Sequence, residues 1–251
     1  MTMGILHLIR SWRARWQPVS AVLHAPPHAP GDAAAVASGV NAVAQWALTH
    51  PGVRLELGLS SRWLLCAVTP QARDPQAALA VAREQWSHYL GLDEQALADE
   101  WVCLPVVGSQ ASLVCAAPRA LIDGLLDVAA QHRVQLVAVL PWWAFGLQRQ
   151  LSSSGEASDV DVTGPRRWAW LEPGWCLNVD AQPVSTGGSG WCLERAWMDG
   201  GDGAEVGGVQ VVAELPAPSC DPSPQAEAGG SVPSLLWLAP AASVLLKGDA
   251  P

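Results

Sequence analysis

Residues 112–141 (SLVCAAPRALIDGLLDVAAQHRVQLVAVLP) restrict the fold more than any other part of this sequence. Two apolar runs, at 112–117 and 134–140, are typical of buried strands. Between them, apolar side chains recur at helical spacing, and Pro118 suits the first turn of a helix. A strand–helix–strand segment of this length predicts that the two strands pair in parallel through a right-handed crossover. The predicted fold class is therefore α/β.

The flanking segments predict further helices and a C-terminal region rich in strands. Helices are expected at 33–48, at 75–90 and after Pro141, because apolar residues recur there every three to four positions. Two apolar runs around the turn Glu172-Pro173-Gly174 predict a hairpin at 166–181. Other strands are expected at 101–107, 190–198, 209–215 and 234–240.

Composition divides the chain into four segments. Residues 1–32 are predicted to be a basic N-terminal arm followed by a Pro-rich linker, and residues 33–150 the α/β core. Residues 151–165 are predicted to be a polar linker or loop. Residues 166–251 are expected to form an acidic, Gly- and Pro-rich region containing β-hairpins. No internal repeat is evident.

The charge of the chain argues against nucleic acid as a partner, because the formal net charge is −9 and nucleic acid selects basic surfaces. Residues 1–16 depart from this balance, since Arg10, Arg13 and Arg15 lie there with no acidic residue. This arm would suit docking on a partner or peripheral contact with an anionic membrane surface. The alternative is a frayed terminus or a first strand.

The apolar runs are too short for a membrane span, which needs about 20 residues, and two of the longest contain proline. No secretory signal is evident. The six cysteines form no CxxC pair, and most lie in apolar runs, which favours reduced, buried thiols in a cytosolic protein. A soluble cytoplasmic protein is therefore expected, with a location at the inner face of the inner membrane as the refinement.

The sequence lacks the common catalytic signatures. It contains no GxxxxGK[ST], HExxH or GxSxG pattern, and no GxGxxG pattern follows a strand. No two of its six histidines have the spacing of metal ligands. No catalytic residue and no metal site are predicted.

Residues 53–68 (VRLELGLSSRWLLCAV) are the remaining candidate for chemistry. They read as two short strands joined by a polar turn. Glu56, Gly58, Ser60 and Ser61 are the candidate residues, because a carboxylate, a glycine and small hydroxyls at such a turn suit a nucleotide phosphate and its magnesium ion. The alternative is a hairpin without a ligand.

The pattern LELGLSSRW resembles the first phosphate loop of the actin-like ATPase superfamily (ASKHA), in which a strand carries an acid, then a glycine, small hydroxyl residues and a basic residue. The segment LVCAAPRALIDGLLDVAAQHRVQLVAVLPWWAFGLQ is similar to the central part of the actin-like cytoplasmic platform proteins of type IV pilus and type II secretion systems (PilM/GspL-like). Pro141, Phe145, Leu147 and Arg149 stand at that family's characteristic positions. The resemblance covers about residues 53–150 and implies a shortened actin-like, ribonuclease H-like core.

Several departures from the superfamily pattern imply a degenerate nucleotide site. Glu56 stands where the nucleotide-binding members have aspartate, and its longer side chain displaces the carboxylate. Trp63 stands at the position of the basic residue, and Arg62 comes one place early. No second phosphate loop is recognised, since residues 172–174 read as a simple turn.

The resemblance implies a non-enzymatic cytoplasmic scaffold or assembly protein of a type IV pilus or secretion-like machine. Its partner would be another protein, such as the cytoplasmic tail of an inner-membrane protein, and no cofactor is expected. The alternative is a small actin-like ATPase or sugar-kinase-like enzyme that uses Glu56 and residues 58–61 to bind magnesium and ATP. A third hypothesis is an adaptor that binds a partner through a Trp-rich surface.

Overall fold

The computed structural model describes residues 18–25, 31–69, 75–104, 112–144, 146–147, 150, 166–183, 191–200, 210–214 and 235–237. The helices are α1 (Ala33–Thr49), α2 (Pro75–Leu90), α3 (Glu94–Glu100) and α4 (Arg119–His132). The strands are β1 (Val19–Leu23), β2 (Arg54–Leu59), β3 (Leu65–Thr69), β4 (Trp101–Cys103), β5 (Ser112–Pro118), β6 (Gln135–Pro141), β7 (Arg166–Glu172), β8 (Trp175–Pro183), β9 (Trp191–Gly200), β10 (Gln210–Glu214) and β11 (Leu235–Trp237). A short 3-10 turn, Ser61–Trp63, separates β2 from β3. The fold is mixed α/β, as the sequence predicts.

The first sheet has the order β11-β1-β2-β6, in which β1, β2 and β6 are parallel and β11 is antiparallel to β1. Strand β1, helix α1 and strand β2 form a crossover unit between neighbouring parallel strands. Along β2 the side chains alternate: Leu55, Leu57 and Leu59 are buried, and the residues between them are half-buried. Residues 19–23 belong to the predicted arm and linker, but they form strand β1 next to the centre of this sheet.

The predicted parallel pairing within 112–141 is wrong, although both strands and the helix between them are present. Strand β6 pairs with β2 in the first sheet, whereas β5 lies in a second sheet of order β3-β5-β4 that is antiparallel throughout. Helix α4 therefore connects two sheets. Helices α2 and α3 pack on the second sheet through a small core centred on Trp86 and Trp101.

The two strands and the turn predicted at 53–68 are present, but the alternative of a hairpin is wrong. The chain forms β2, passes through the 3-10 turn and continues as β3, and these strands lie in different sheets. Ser60 caps the turn, its hydroxyl accepting a hydrogen bond from the Arg62 N–H at 3.4 Å. The turn therefore lies where the chain leaves the first sheet for the second.

The third sheet has the order β10-β7-β8-β9, in which β8 is antiparallel to both β7 and β9, and β10 is parallel to β7. The predicted hairpin at 166–181 is confirmed, and Pro173 and Gly174 form its turn. Trp168 and Trp170 of β7 are buried in the same core as strand β2 and helix α1. The first and third sheets therefore share one hydrophobic core.

Most tryptophans in the described part of the chain are buried in this core or in the small core of the second sheet. The buried indoles are Trp63, Trp86, Trp101, Trp142, Trp143, Trp168, Trp170 and Trp191. Trp46, Trp175 and Trp197 are half-buried. The described tryptophans thus form no large exposed cluster of the kind that the Trp-rich adaptor hypothesis requires. The basic arm, residues 1–16, and the linker, residues 151–165, lie outside the described residues.

Candidate functional site

The candidate site lies at the carboxyl ends of the three parallel strands of the first sheet. Strand β1 ends at Leu23, β2 at Leu59 and β6 at Pro141. The Ser60 N–H extends the sheet by donating to the Leu23 carbonyl at 3.1 Å, and the Trp142 N–H donates to the Leu59 carbonyl at 3.0 Å. In open α/β sheets this edge is where ligands bind.

A carboxylate from the third sheet reaches this edge. The Ser61 N–H donates a hydrogen bond to Glu172 Oε2 at 3.0 Å, and the Ser60 hydroxyl donates to Glu172 Oε1 at 3.2 Å. All three residues are buried. Ser60 and Ser61 were predicted to bind a phosphate. In the structure they donate hydrogen bonds to the carboxylate of Glu172, more than 100 residues away along the chain.

Burial raises the pKa of Glu172, because removal from water disfavours the charged form. The hydrogen bonds from the Ser61 N–H and the Ser60 hydroxyl oppose this rise, since they stabilise the carboxylate. Burial is the larger effect. The carboxyl group is thus more readily protonated in the folded state than in the unfolded chain.

Arg62 adds a second contact between the 3-10 turn and the turn of the β7–β8 hairpin. Its guanidinium Nη2 donates to the Pro173 carbonyl at 3.0 Å and the group lies 5.9 Å from the centre of the Trp175 ring. Gly174 has φ 71, and a Cβ on it would come within 2.6 Å of Arg62 Nη2. Glycine therefore serves both the turn and the approach of the arginine.

Two buried aromatic residues support the turn from the core. The indole N–H of Trp143 donates to the Ser61 hydroxyl at 3.2 Å. Trp63 is fully buried, and a Cβ on Gly39 of α1 would lie 3.1 Å from Trp63 Cζ2. Trp63 therefore points into the core and not toward the strand ends.

The other two predicted site residues, Glu56 and Gly58, precede the turn within strand β2. Glu56 Oε2 accepts a hydrogen bond from the hydroxyl of Ser20, its direct neighbour on β1, at 3.2 Å. Gly58 packs against Trp142, so no open space lies beside it for a ligand. The four predicted residues thus adjoin one another along the chain, but only Ser60 and Ser61 contact Glu172. Their nucleotide role stays a prediction.

We expect Gly58→Val to lower the free energy of unfolding by about 2–3 kcal/mol through overpacking. A Cβ at this position would lie 3.1 Å from the Cα and Cβ atoms of Trp142 and 3.2 Å from Val22 Cγ2. Urea denaturation of Gly58→Val and the matched variant Gly58→Ala measures the effect, and the alanine variant is expected to lose less. A valine variant with wild-type stability would show that position 58 faces open space.

His24 adds a second buried titratable group near the turn. Its side chain is buried, and its Nε2 atom has no hydrogen-bond partner among the described residues. Burial lowers the pKa of His24, and the positive charge of Arg62 lowers it further. The imidazole is therefore neutral near pH 7.

Sequence reasoning missed Glu172, His24 and Trp143. Glu172 directly precedes the turn at Pro173 and Gly174, and this turn is the one local signal in the sequence near Glu172. Nothing local to His24 or Trp143 distinguishes them from other residues at strand ends. Among the described residues no group of three or more potential metal ligands is found.

An apolar groove lies on another face, between helices α1 and α4 and the start of β4. Its volume is about 820 Å3, and its lining includes Val36, Val40 and Gly124. The helices approach closely, since a Cβ on Gly124 would lie 2.7 Å from Val40 Cγ2. Three exposed acidic residues also line the groove: Asp99, Glu100 and Asp123.

The groove is acidic because three carboxylates line it against the single positive charge of Arg119. Arg119 donates to the main-chain carbonyls of Ala98 and Asp99 at 2.9 and 2.8 Å. None of the three acidic residues forms an ion pair with another described residue. Asp99 accepts a hydrogen bond from the neutral amide of Gln95 at 2.6 Å, so all three negative charges remain. An apolar surface bordered by carboxylates favours a ligand that carries apolar and basic groups together.

Comparison with known proteins finds similarity in structure alone. No protein-family model and no curated protein matches the sequence. One similar structure is the cytoplasmic domain of EpsL, an inner membrane component of the type II secretion system of Vibrio cholerae, with a TM-score of 0.39 and 12% identity over 79% of this chain and 83% of that one. Another is the PilM–PilN type IV pilus biogenesis complex, with a TM-score of 0.39 and 13% identity over 68% of this chain and 52% of that one. Similarity at this level does not assign the chain to a family.

No helix in the described ranges is long and apolar enough to cross a membrane.

Proposed function

We propose that this protein is a non-enzymatic scaffold that binds a segment of a partner protein and performs no nucleotide chemistry. The observation that carries the proposal is the contact between Glu172 and the turn that follows β2. Ser60 and Ser61 present the donors that a phosphate group requires, and the Glu172 carboxylate already accepts from both.

A nucleotide at this turn would have to displace Glu172. The displacement breaks two buried hydrogen bonds and leaves a carboxylate close to the incoming phosphate, which is also negative. Glu56, the candidate magnesium ligand, lies within strand β2 and accepts from Ser20. Both features count against the alternative of a small ATPase or sugar-kinase-like enzyme, and they fit a degenerate nucleotide site.

The acidic groove between α1 and α4 is the proposed binding surface. Its lining combines apolar and acidic residues, and its volume suits a few side chains of a short peptide. We infer an occupant with apolar residues and at least one arginine or lysine, because a basic group complements the negative charge of Asp99, Glu100 and Asp123. This surface is separate from the contact at Glu172.

The kind of assembly follows from the sequence resemblance of residues 53–150 to the actin-like platform proteins of type IV pilus and type II secretion systems. On that basis the architecture is a shortened actin-like core. The location is the cytoplasm at the inner face of the inner membrane, and the partner is the cytoplasmic tail of an inner-membrane protein. Residues 1–16 would then supply a peripheral contact with the membrane.

The test is co-purification followed by direct binding. The tagged full chain is isolated from native cells, and synthetic peptides covering the cytoplasmic tail of any co-purifying membrane protein are titrated by fluorescence anisotropy. We expect binding that Asp123→Lys weakens at least about tenfold, a loss of about 1.4 kcal/mol in binding free energy. The matched control is Asp127→Lys, an exposed residue on the same helix but outside the groove, and this variant should bind like wild type.

Two outcomes contradict the proposal. One is that the chain purifies alone, with no membrane protein bound. The other is that a tail binds equally well to wild type, Asp123→Lys and Asp127→Lys, because the groove is then not the binding surface.

A further inference from the structure

We propose that Cys66 and Cys115 form an oxidisable dithiol, in which Cys66 reacts first with a small-molecule disulfide and Cys115 closes an intramolecular disulfide. The pair lies in the second sheet, outside both the turn at Ser60 and the groove between α1 and α4. The inference is therefore independent of the proposed function.

The two thiols are already in contact. Cys66 on β3 and Cys115 on β5 are direct partners in the antiparallel register, and their Sγ atoms lie 3.3 Å apart. Direct partners in antiparallel strands have Cα atoms about 4.5–5.5 Å apart. A disulfide accepts Cα separations of about 4.4–6.8 Å. The bond can therefore form by rotation of the side chains, without movement of the strands.

The surroundings of the two residues give them different roles. Cys66 is half-buried and lines a pocket of about 340 Å3 between the second and third sheets, together with Gln85 and Trp197. Cys115 is 1% exposed. Burial raises the pKa of Cys115 well above its ordinary value, and the contact with Cys66 raises it further. A reagent thus reaches Cys66 first, and Cys115 acts on the sulfur beside it.

The reaction with oxidised glutathione balances in two exchanges. The Cys66 thiolate attacks one sulfur of glutathione disulfide, which forms a mixed disulfide at Cys66 and releases one glutathione thiolate. Cys115 then loses its proton and attacks Cys66 Sγ, which displaces the second glutathione. The two protein thiols lose two electrons and two protons in total, and two reduced glutathione molecules carry them away.

The disulfide would join β3 to the central strand of the second sheet. The two residues are 49 positions apart, and the closed loop contains α2, α3 and β4. Closing a loop of this length restricts the unfolded chain. We expect the oxidised protein to melt about 5–10 °C higher than the reduced protein.

The experiment incubates the full chain with oxidised glutathione, maps disulfides by peptide mass spectrometry and measures the melting temperature before and after dithiothreitol. We expect a Cys66–Cys115 bond in wild type and in the control Cys103→Ser, reversed by dithiothreitol. In Cys115→Ser, or in Cys115→Ala if serine prevents folding, a stable glutathione adduct should accumulate on Cys66. In Cys66→Ser no disulfide should form at Cys115.

Three results would overturn the proposal. The first is a bond between any other pair of cysteines in wild type. The second is a wild-type protein in which Cys66 and Cys115 stay reduced in oxidised glutathione. The third is that Cys115→Ser and Cys115→Ala are both folded, as judged by circular dichroism, and neither accumulates a glutathione adduct on Cys66.

Discussion

Replacing Glu172 by alanine is expected to leave the protein about 2–4 kcal/mol less stable than replacing it by glutamine. Alanine removes both acceptors and leaves the Ser61 N–H and the Ser60 hydroxyl buried without their partner. Glutamine keeps an oxygen that accepts from Ser61, and it has nearly the same volume. Urea denaturation followed by circular dichroism compares the two variants without any change in charge between them.

The Glu172→Gln variant also tests the sign of the pKa shift. The folded-state pKa of Glu172 is raised above its ordinary value of 4.5, so the folded state binds this proton more tightly than the unfolded state. The contribution of the group to stability is therefore greatest below pH 4.5 and is lost as the pH rises through the folded pKa. Glutamine, which mimics the protonated acid, removes this dependence.

We therefore expect Glu172→Gln to match wild type near pH 4 and to exceed it in stability near pH 7. Titration of His24, which acts in the opposite direction below its ordinary pKa, is common to both proteins and cancels in the difference. A difference that does not change with pH, or equal stability of the alanine and glutamine variants, would show that Glu172 is not held in this contact.

Replacing Trp63 by alanine is expected to lower the free energy of unfolding by about 3–5 kcal/mol. Its side chain is fully buried and packs against Gly39 of α1. The indole N–H has no hydrogen-bond partner among the described residues. Trp63→Phe, the matched control, therefore loses volume but no hydrogen bond, and should cost only about 1–2 kcal/mol.

The variant that separates the two accounts of this position is Trp63→Lys. It introduces the basic residue that the predicted resemblance to a phosphate loop would require at this position. In this structure the substitution buries an unpaired ammonium group, which the fold does not tolerate. We expect Trp63→Lys to be unfolded or insoluble. A folded lysine variant that binds magnesium and ATP would contradict the assignment of Trp63 to the core.

Local patterns in the sequence predict the elements of this fold well. Helix α1 was expected at 33–48 and is found at Ala33–Thr49. Helix α2 was expected at 75–90 and is found at Pro75–Leu90, followed directly by Gly91 with φ 66. The hairpin of β7 and β8 turns at Pro173 and Gly174 as predicted. Each of these features depends on residues that are close together in the sequence, so local patterns are enough to predict it.

Pairing between strands could not be predicted, because the sequence of an apolar strand does not indicate which other strand lies beside it in the sheet. Strand β6 pairs with β2 across about 75 intervening positions, while β5, its neighbour along the chain, lies in another sheet. The same limit applies to the site. Ser60 and Ser61 were recognised from local spacing, but their partner Glu172 comes from the third sheet. A resemblance to a phosphate loop identified the donors and missed the carboxylate that they bind.

The direct test of this account is the melting temperature of the wild-type chain with magnesium–ATP or magnesium–ADP at millimolar concentration. A nucleotide present at 100 times its dissociation constant stabilises the folded state by about 2.7 kcal/mol, which for a chain of this size raises the melting temperature by several degrees. Because Glu172 occupies the turn at Ser60 and Ser61, we predict no change with either nucleotide. A rise of several degrees that requires magnesium and disappears in Glu56→Gln would contradict the account and establish a working nucleotide site.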